Sequence, residues 1–179
     1  GKIRLAVLER DFNHFYPAAL QKVVDQPLQI IDAGGGCGPF SLPMAQRGHV
    51  VTLCDLSEKM LEIAAKRVQE YSLEARVKIV HGAIQTLDTA KNSVDLVLCH
   101  AVLEWVKDPA EILRHLTSLL KPNGVLSLTF YNKDGMIFKN LLRTNYKKIQ
   151  QQDYEGYKGS LTPTWPRTCS EVEAIVNVL

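Results

Sequence analysis

The sequence predicts an α/β fold, a parallel sheet flanked by helices, on three observations. Short apolar runs of strand length alternate along the chain with amphipathic stretches of helix length. The run Ile30-Ile31-Asp32-Ala33-Gly34-Gly35-Gly36-Cys37-Gly38 ends in an acid and a glycine cluster, as a buried strand does when it turns sharply into a helix. A second apolar run then ends at Asp55, at the spacing of about 20 residues where an α/β nucleotide site reads ribose hydroxyls.

The segment from Ile3 to Val24 reads as helical, with Leu5, Leu8, Phe12 and Phe15 as its apolar positions and a break at Pro17. The first strand is expected at Leu28–Asp32. Pro39 suits the first turn of the next helix and Gly48 its end, whereas Pro43 removes a ladder bond and makes that helix short or late-starting. The second strand is expected at Val50–Asp55. Ser57 then caps a helix with Met60, Leu61, Ala64, Ala65 and Val68 on one face. Val77–Val80 and Val94–Cys99 read as the third and fourth strands. A helix after Asp108-Pro109 carries Ile112, Leu113, Leu116, Leu119 and Leu120. The turn Lys121-Pro122-Asn123-Gly124 ends it and launches a fifth strand at Val125–Tyr131. Strands separated by helices in this way form βαβ units.

Ligands of such sheets lie at the C-terminal ends of the strands. Here those ends are Asp32 with the glycines, Asp55, Gly82–Gln85, His100 and Tyr131-Asn132, each polar or glycine-rich. The register of the loop separates two ligand classes. A dinucleotide fingerprint needs a glycine at position 39 or 41, where this chain has Pro39 and Ser41. What is present is D-x-G-x-G-x-G. A diphosphate would be drawn to the helix N-terminus, whereas an acid beside the loop suits the cationic end of S-adenosyl-L-methionine (SAM). Local chemistry favours SAM over NAD.

At 179 residues the chain suits one domain with a sizeable core, and 46% hydrophobic with 22% charged residues is ordinary for a globular protein. No apolar stretch reaches membrane-spanning length, and no basic-then-apolar leader opens the chain, which starts at Gly1. Cys37, Cys54, Cys99 and Cys169 show no C-x-x-C spacing and read as free thiols of a reducing cytoplasm. His14, His49, His81, His100 and His115 form no ligand-spaced set, so no metal is expected. The net charge of +2 is unevenly divided: residues 133–167 hold seven Lys/Arg against three acids, leaving −2 elsewhere. Tyr146, Tyr154, Tyr157 and Trp165 interleave with that charge, a footprint suited to phosphates and unstacked bases, although a solvated lid can be equally basic.

Together these elements resemble class I SAM-dependent methyltransferases over roughly residues 28–131, including V-D-L-V-L-C-H-A-V-L-E-W and L-K-P-N-G-V-L. More narrowly, Asp32–Gly36, Cys54–Ser57, His100–Trp105, Gly124–Leu128, Phe130–Asn132, Leu161–Pro163 and Pro166-Arg167 look like the tRNA enzymes that methylate 5-carboxymethoxyuridine. The resemblance implies a Rossmann-like sheet that lacks its last two strands in this chain. Residues 1–132 would form the SAM-binding domain with its N-terminal helices; residues 133–179 would form a basic lid and substrate segment opening the C-terminal part of the same domain. It implies SAM as cofactor, held by Arg4 at the methionine carboxylate, Gly34 and Gly35 beside the methionyl chain, Asp55 at the ribose, Ile84 and Gln85 at the adenine, and His100 near the methionine end. The implied partner is the anticodon region of tRNA, in the cytoplasm and not at a membrane. The chain departs from the pattern at position 37, where Cys stands in place of an acid and weakens a loop hydrogen bond. A carboxylate acceptor is already ionised at neutral pH and needs no general base, so no catalytic residue is nominated; His100, Trp105 and Tyr131 are candidates to shape the acceptor pocket. The alternatives are a methyltransferase acting on a quinone or an acyl carboxylate, and a SAM-binding domain without turnover.

Overall fold

A computed structural model of the chain describes residues 2–22, 25–151 and 162–179. Val23 and Val24, at the end of the first predicted helical segment, and Tyr154, Tyr157, Lys158 and Leu161 in the basic segment lie outside the described residues.

The elements alternate as the apolar runs require. They are α1 (Lys2–Phe15), β1 (Gln29–Ala33), α2 (Ser41–Gln46), β2 (Val50–Asp55), α3 (Glu58–Glu70), β3 (Val77–His81), β4 (Val94–His100), α4 (Pro109–Leu119), β5 (Leu120–Thr129), α5 (Lys133–Leu142), α6 (Tyr146–Gln150) and α7 (Cys169–Val176). Short 3-10 turns stand at Pro17–Leu20, Ile84–Thr86 and Leu103–Trp105. The five strands form one parallel sheet in the order β3-β2-β1-β4-β5. Register is fixed by apolar pairs: Ile30 opposite Val51 and Leu96, and Val51 opposite Val77. Side chains on both faces of β1 and β4 are buried, which is why these strands read as continuous apolar runs instead of alternating ones.

The chain divides into two compact units, residues 1–99 with 116–127, and residues 100–115 with 128–179. In the first, Ile30, Val51, Leu53, Leu96 and Leu98 of the sheet pack with Leu8 and Phe12 of α1, Leu42 and Met44 of α2, and Leu61, Ala64 and Val68 of α3. Each large apolar side chain among them contributes roughly 1.5–3 kcal/mol by leaving water. Phe12 and Phe40 meet at tilted rings 5.1 Å apart, which seats α1 beside the start of α2. Phe15, one of the apolar positions of that segment, is 77% exposed and stands edge-on to His14 at the last residue of α1, just before the Pro17 break.

Pro43 has the predicted effect. α2 is six residues long and starts at Ser41, so Pro43 falls among the first amides of the helix, which have no partner inside it. Ser57 accepts from the Met60 amide and caps α3. Asp108 Oδ1 accepts from the amides of Ala110 and Glu111 at the start of α4. β5 differs from its predicted bounds, beginning at Leu120 instead of Val125 and ending at Thr129. Its irregular first part contains Pro122 and a left-handed Asn123 (φ 66°), and the Lys121 ammonium is tied to Asp95 of β4 at 2.8 Å.

In the second unit, Ala101 is left-handed (φ 60°), a costly conformation for a residue with a Cβ, and its amide donates to the Thr129 carbonyl. Trp165 donates its amide to the Glu104 carbonyl, and Lys133 donates its amide to the Arg167 carbonyl. Asn132 accepts from the Asp134 amide and caps α5, while Thr168 and Glu171 form a reciprocal capping box on α7.

Candidate active site

The glycine loop runs from the end of β1 into α2, and three of its residues occupy the left-handed region: Gly34 (φ 71°), Gly36 (φ 56°) and Gly38 (φ 65°). The amides of Gly34 and Gly35 both donate to the Cys54 carbonyl at the end of β2, at 2.8 and 3.2 Å, which folds the loop back over the neighbouring strand.

Two carboxylates hold this loop. Asp32 is buried, and its Oδ2 accepts from the Ser41 hydroxyl at 2.5 Å. A Cβ on Gly35 would collide with the Asp32 carboxyl, so the loop passes over this acid at a distance only glycine permits. Burial pushes the Asp32 carboxyl up to about 6; the Ser41 hydrogen bond pulls it down and the Asp55 charge adds to the rise. Asp55 is half-buried. Its Oδ2 accepts from the Gly36 amide and its Oδ1 from the Ser57 amide, each at 2.8 Å. A carboxylate has about four lone-pair sites. With two taken by backbone amides, two remain for a pair of neighbouring hydroxyls.

β2 and β3 continue the same rim. Asp55 is opposite His81 in the sheet, the Gly82 amide donates to the Asp55 carbonyl at 3.1 Å, and the Cys54 thiol donates to the Gly82 carbonyl at 3.3 Å. Burial, with the Asp55 charge second, raises the Cys54 thiol to about 11, so it stays protonated and keeps that donor. Beyond Gly82, Ile84 is buried and Gln85 exposed.

The structure therefore brings Gly34, Gly35, Asp55, Ile84 and Gln85 to one edge of the first unit, at the C-terminal ends of β1, β2 and β3. It leaves Arg4 on the exposed side of α1 with no hydrogen bond among the described residues. His100 is the last residue of β4 and opens the second unit.

Two residues of the loop's surroundings carry no signal in the sequence. Ser41 stands out there only for not being glycine, yet it makes the hydrogen bond to Asp32; a serine nine residues after an acid has no pattern of its own. Arg67 of α3 reaches the loop at the point of departure, with Nη1 3.1 Å from the Cys37 carbonyl and 3.2 Å from its Sγ. Position 37 is thus tied to α3 without an acidic side chain. Among the described residues, no group of three or more His, Cys, Asp or Glu could hold a metal, and no helix is long and apolar enough to cross a membrane.

A parallel sheet of this order with a glycine loop, an acid after β2 and polar strand ends defines a class I nucleoside-cofactor fold, and the sequence matches the family described as "Methyltransferase domain" over residues 31–128. The chain belongs to that family, the SAM-dependent methyltransferases. Among its relatives, a tRNA 5-carboxymethoxyuridine methyltransferase of Escherichia coli K12 is 38% identical over 173 residues, 96% of this chain and 65% of that protein. A ubiquinone biosynthesis O-methyltransferase of a Caulobacter species is 36% identical over 129 residues, 72% of this chain and 48% of that protein. The chain thus spans just under two thirds of the tRNA methyltransferase. A solved SAM-dependent methyltransferase from Aquifex aeolicus shares the fold, with a TM-score of 0.62 and 18% identity over 99% of this chain and 87% of that one.

Proposed function

We propose that this protein is a cytoplasmic SAM-dependent methyltransferase that converts the carboxylate of 5-carboxymethoxyuridine, at the wobble position of tRNA, into its methyl ester. The observation that carries this reading is the extent of similarity. The domain match stops at residue 128, whereas similarity to the tRNA enzyme runs over 173 residues, 96% of this chain, and so takes in the basic segment after Asn132.

The residues present suit the cofactor. Asp55 has two lone-pair sites left for the ribose hydroxyls, and the glycine backbone at 34–36 has no side chain to obstruct a methionyl group. Ile84 would supply an apolar wall and Gln85 a polar edge for adenine. Arg4 would offer its guanidinium to the methionine carboxylate, and His100 a ring nitrogen near the methionine end. Residues 1–132 would hold the cofactor and 133–179 the acceptor.

When bound, SAM supplies a methyl carbon on a positive sulfur, and the acceptor oxygen forms its bond to that carbon as the carbon–sulfur bond breaks, leaving a neutral thioether and a methyl ester. No proton moves. The protein's work is therefore to bind both partners, align them to about 3–3.5 Å and exclude water. No general base is therefore assigned among the residues at the strand ends.

Nucleoside mass spectrometry of tRNA from cells lacking the protein tests the proposal: the wobble methyl ester should vanish and the free acid accumulate. An unchanged profile would refute it. The quinone-pathway relative keeps a second reading in view, methylation of a small quinone or acyl carboxylate; labelled methyl transfer to metabolite extract instead of bulk tRNA would favour it.

A further inference from the structure

Arg167 is a cation of the second unit whose bonding the fold leaves incomplete. Its backbone is pinned by pairing with Asn132 and by the Lys133 amide, which donates to its carbonyl at 2.8 Å. Its side chain is steered by two backbone carbonyls, those of Val106 and Lys107, each 2.9 Å from Nη2. Those two bonds use both hydrogens of Nη2. Among the described residues, Nε is buried without an acceptor and Arg167 forms no ion pair. Glu171 lies close enough to feel its charge, but the Oε2 of that acid is engaged by the Thr168 amide and hydroxyl in the α7 cap. A guanidinium held this firmly, with donors to spare, is preorganised to receive an anion.

Its neighbours indicate which anion. The same backbone pairings draw together three short segments of this unit, 103–107, 131–133 and 165–167, and each presents a partly exposed aromatic: Trp105 (45%), Tyr131 (39%) and Trp165 (41%). Aromatic side chains on the segments that hold a fixed arginine suit a planar base that carries an acidic substituent. Free phosphate would use the arginine and ignore the rings; a neutral base would do the reverse.

We propose that Arg167 binds the carboxylate of the methyl acceptor, on a ledge formed by Trp105, Tyr131 and Trp165. This rests on the reading of the acceptor as a carboxylate-bearing uridine. A guanidinium on one carboxylate oxygen leaves the other oxygen free to react, and it selects the acid over an uncharged counterpart.

The test uses two anticodon stem-loop RNAs, one with 5-carboxymethoxyuridine at the wobble position and one with its neutral carboxamide counterpart. Bonds to charged groups suggest that the wild-type protein should prefer the acid by about 10- to 100-fold. Arg167→Gln should bring that ratio to about one, and Arg167→Lys should restore part of it. Calorimetric SAM affinity and the melting temperature report whether the fold survives. If Arg167→Gln keeps the wild-type ratio, or weakens both RNAs equally, the arginine is only a structural tie and the inference falls. If the wild-type protein itself fails to methylate the acid RNA, it is the proposed function that fails.

Discussion

Replacing Asp32 by asparagine tests the balance of forces beneath the glycine loop. The amide keeps the shape and an acceptor for the Ser41 hydroxyl but removes the ionisable group. Burial is the main reason the Asp32 carboxyl titrates at about 6 instead of 3.8. That rise corresponds to roughly 3 kcal/mol between the two protonation states. Between pH 3.8 and about 6 the folded protein keeps a proton that the unfolded chain has released. The stability this group contributes is therefore complete below 3.8 and lost as pH rises through about 6. The Asp32→Asn variant has no such loss. Its stability relative to wild type should increase by roughly 3 kcal/mol from pH 4 to pH 7.5, or about 6–12 °C in melting temperature for a chain of this size. Thermal unfolding of both proteins across that range, followed by circular dichroism, measures the gap. A gap independent of pH would refute the reasoning, since it would mean that Asp32 titrates alike in the folded and unfolded states.

Gly38→Ala places a Cβ 2.7 Å from Leu42 Cγ and 2.8 Å from Leu53 Cδ1 at a left-handed backbone position. Strain and overpacking together should cost about 2–5 kcal/mol, read as a fall in melting temperature of roughly 5–20 °C. Asp55→Ala removes the acceptor for the Gly36 and Ser57 amides along with the two free lone-pair sites; SAM affinity measured by calorimetry should fall about 100-fold or more, and an unchanged affinity would remove Asp55 from the cofactor site. Reversing the charges of Lys147 and Lys148 on α6 should weaken tRNA binding and flatten its salt dependence, by roughly 0.7 in the log–log slope for each phosphate the variant no longer neutralises. Equal slopes for variant and wild type would place the RNA elsewhere.

The strand sequence of this sheet was legible because it depends on features local to the chain. Four of the five strands lie within a residue of their expected bounds: β1 and β4, buried on both faces, show as apolar runs, and β2 and β3 as short apolar stretches bounded by polar residues. β5 departs from expectation because the Lys121–Gly124 turn reads as a clean break, whereas Leu120–Asn123 joins the strand irregularly and Lys121 is anchored by Asp95 of β4. That anchor depends on tertiary position, which spacing along the chain does not encode. The same holds at the site. Asp55 is visible from its place after β2, and the glycines from their cluster. The partners that shape them, Ser41 under Asp32 and Arg67 at Cys37, come from helices whose rotation about the loop is set by packing of Leu42, Met44, Leu61 and Ala64 into the core.

These partners change the meaning of the first acid. Its position two residues before the glycines suggests a counter-charge for the cationic end of a ligand, but Asp32 is only 4% exposed, is bonded to Ser41 and lies directly beneath Gly35. A carboxyl so enclosed has little surface to offer a ligand; what it controls is how low the loop can sit. Asp55 has the opposite balance, with one oxygen on the loop, one on the α3 cap, and lone pairs left over. One acid fixes the floor of the loop, and the other joins the loop to whatever binds there. If so, the two variants should separate in their effects: Asp32→Asn should change the pH dependence of folding while SAM affinity at pH 7.5 stays within a few-fold, and Asp55→Asn should lower SAM affinity by far more than that. Equal losses of affinity from both would mean that the two carboxylates act as a single site.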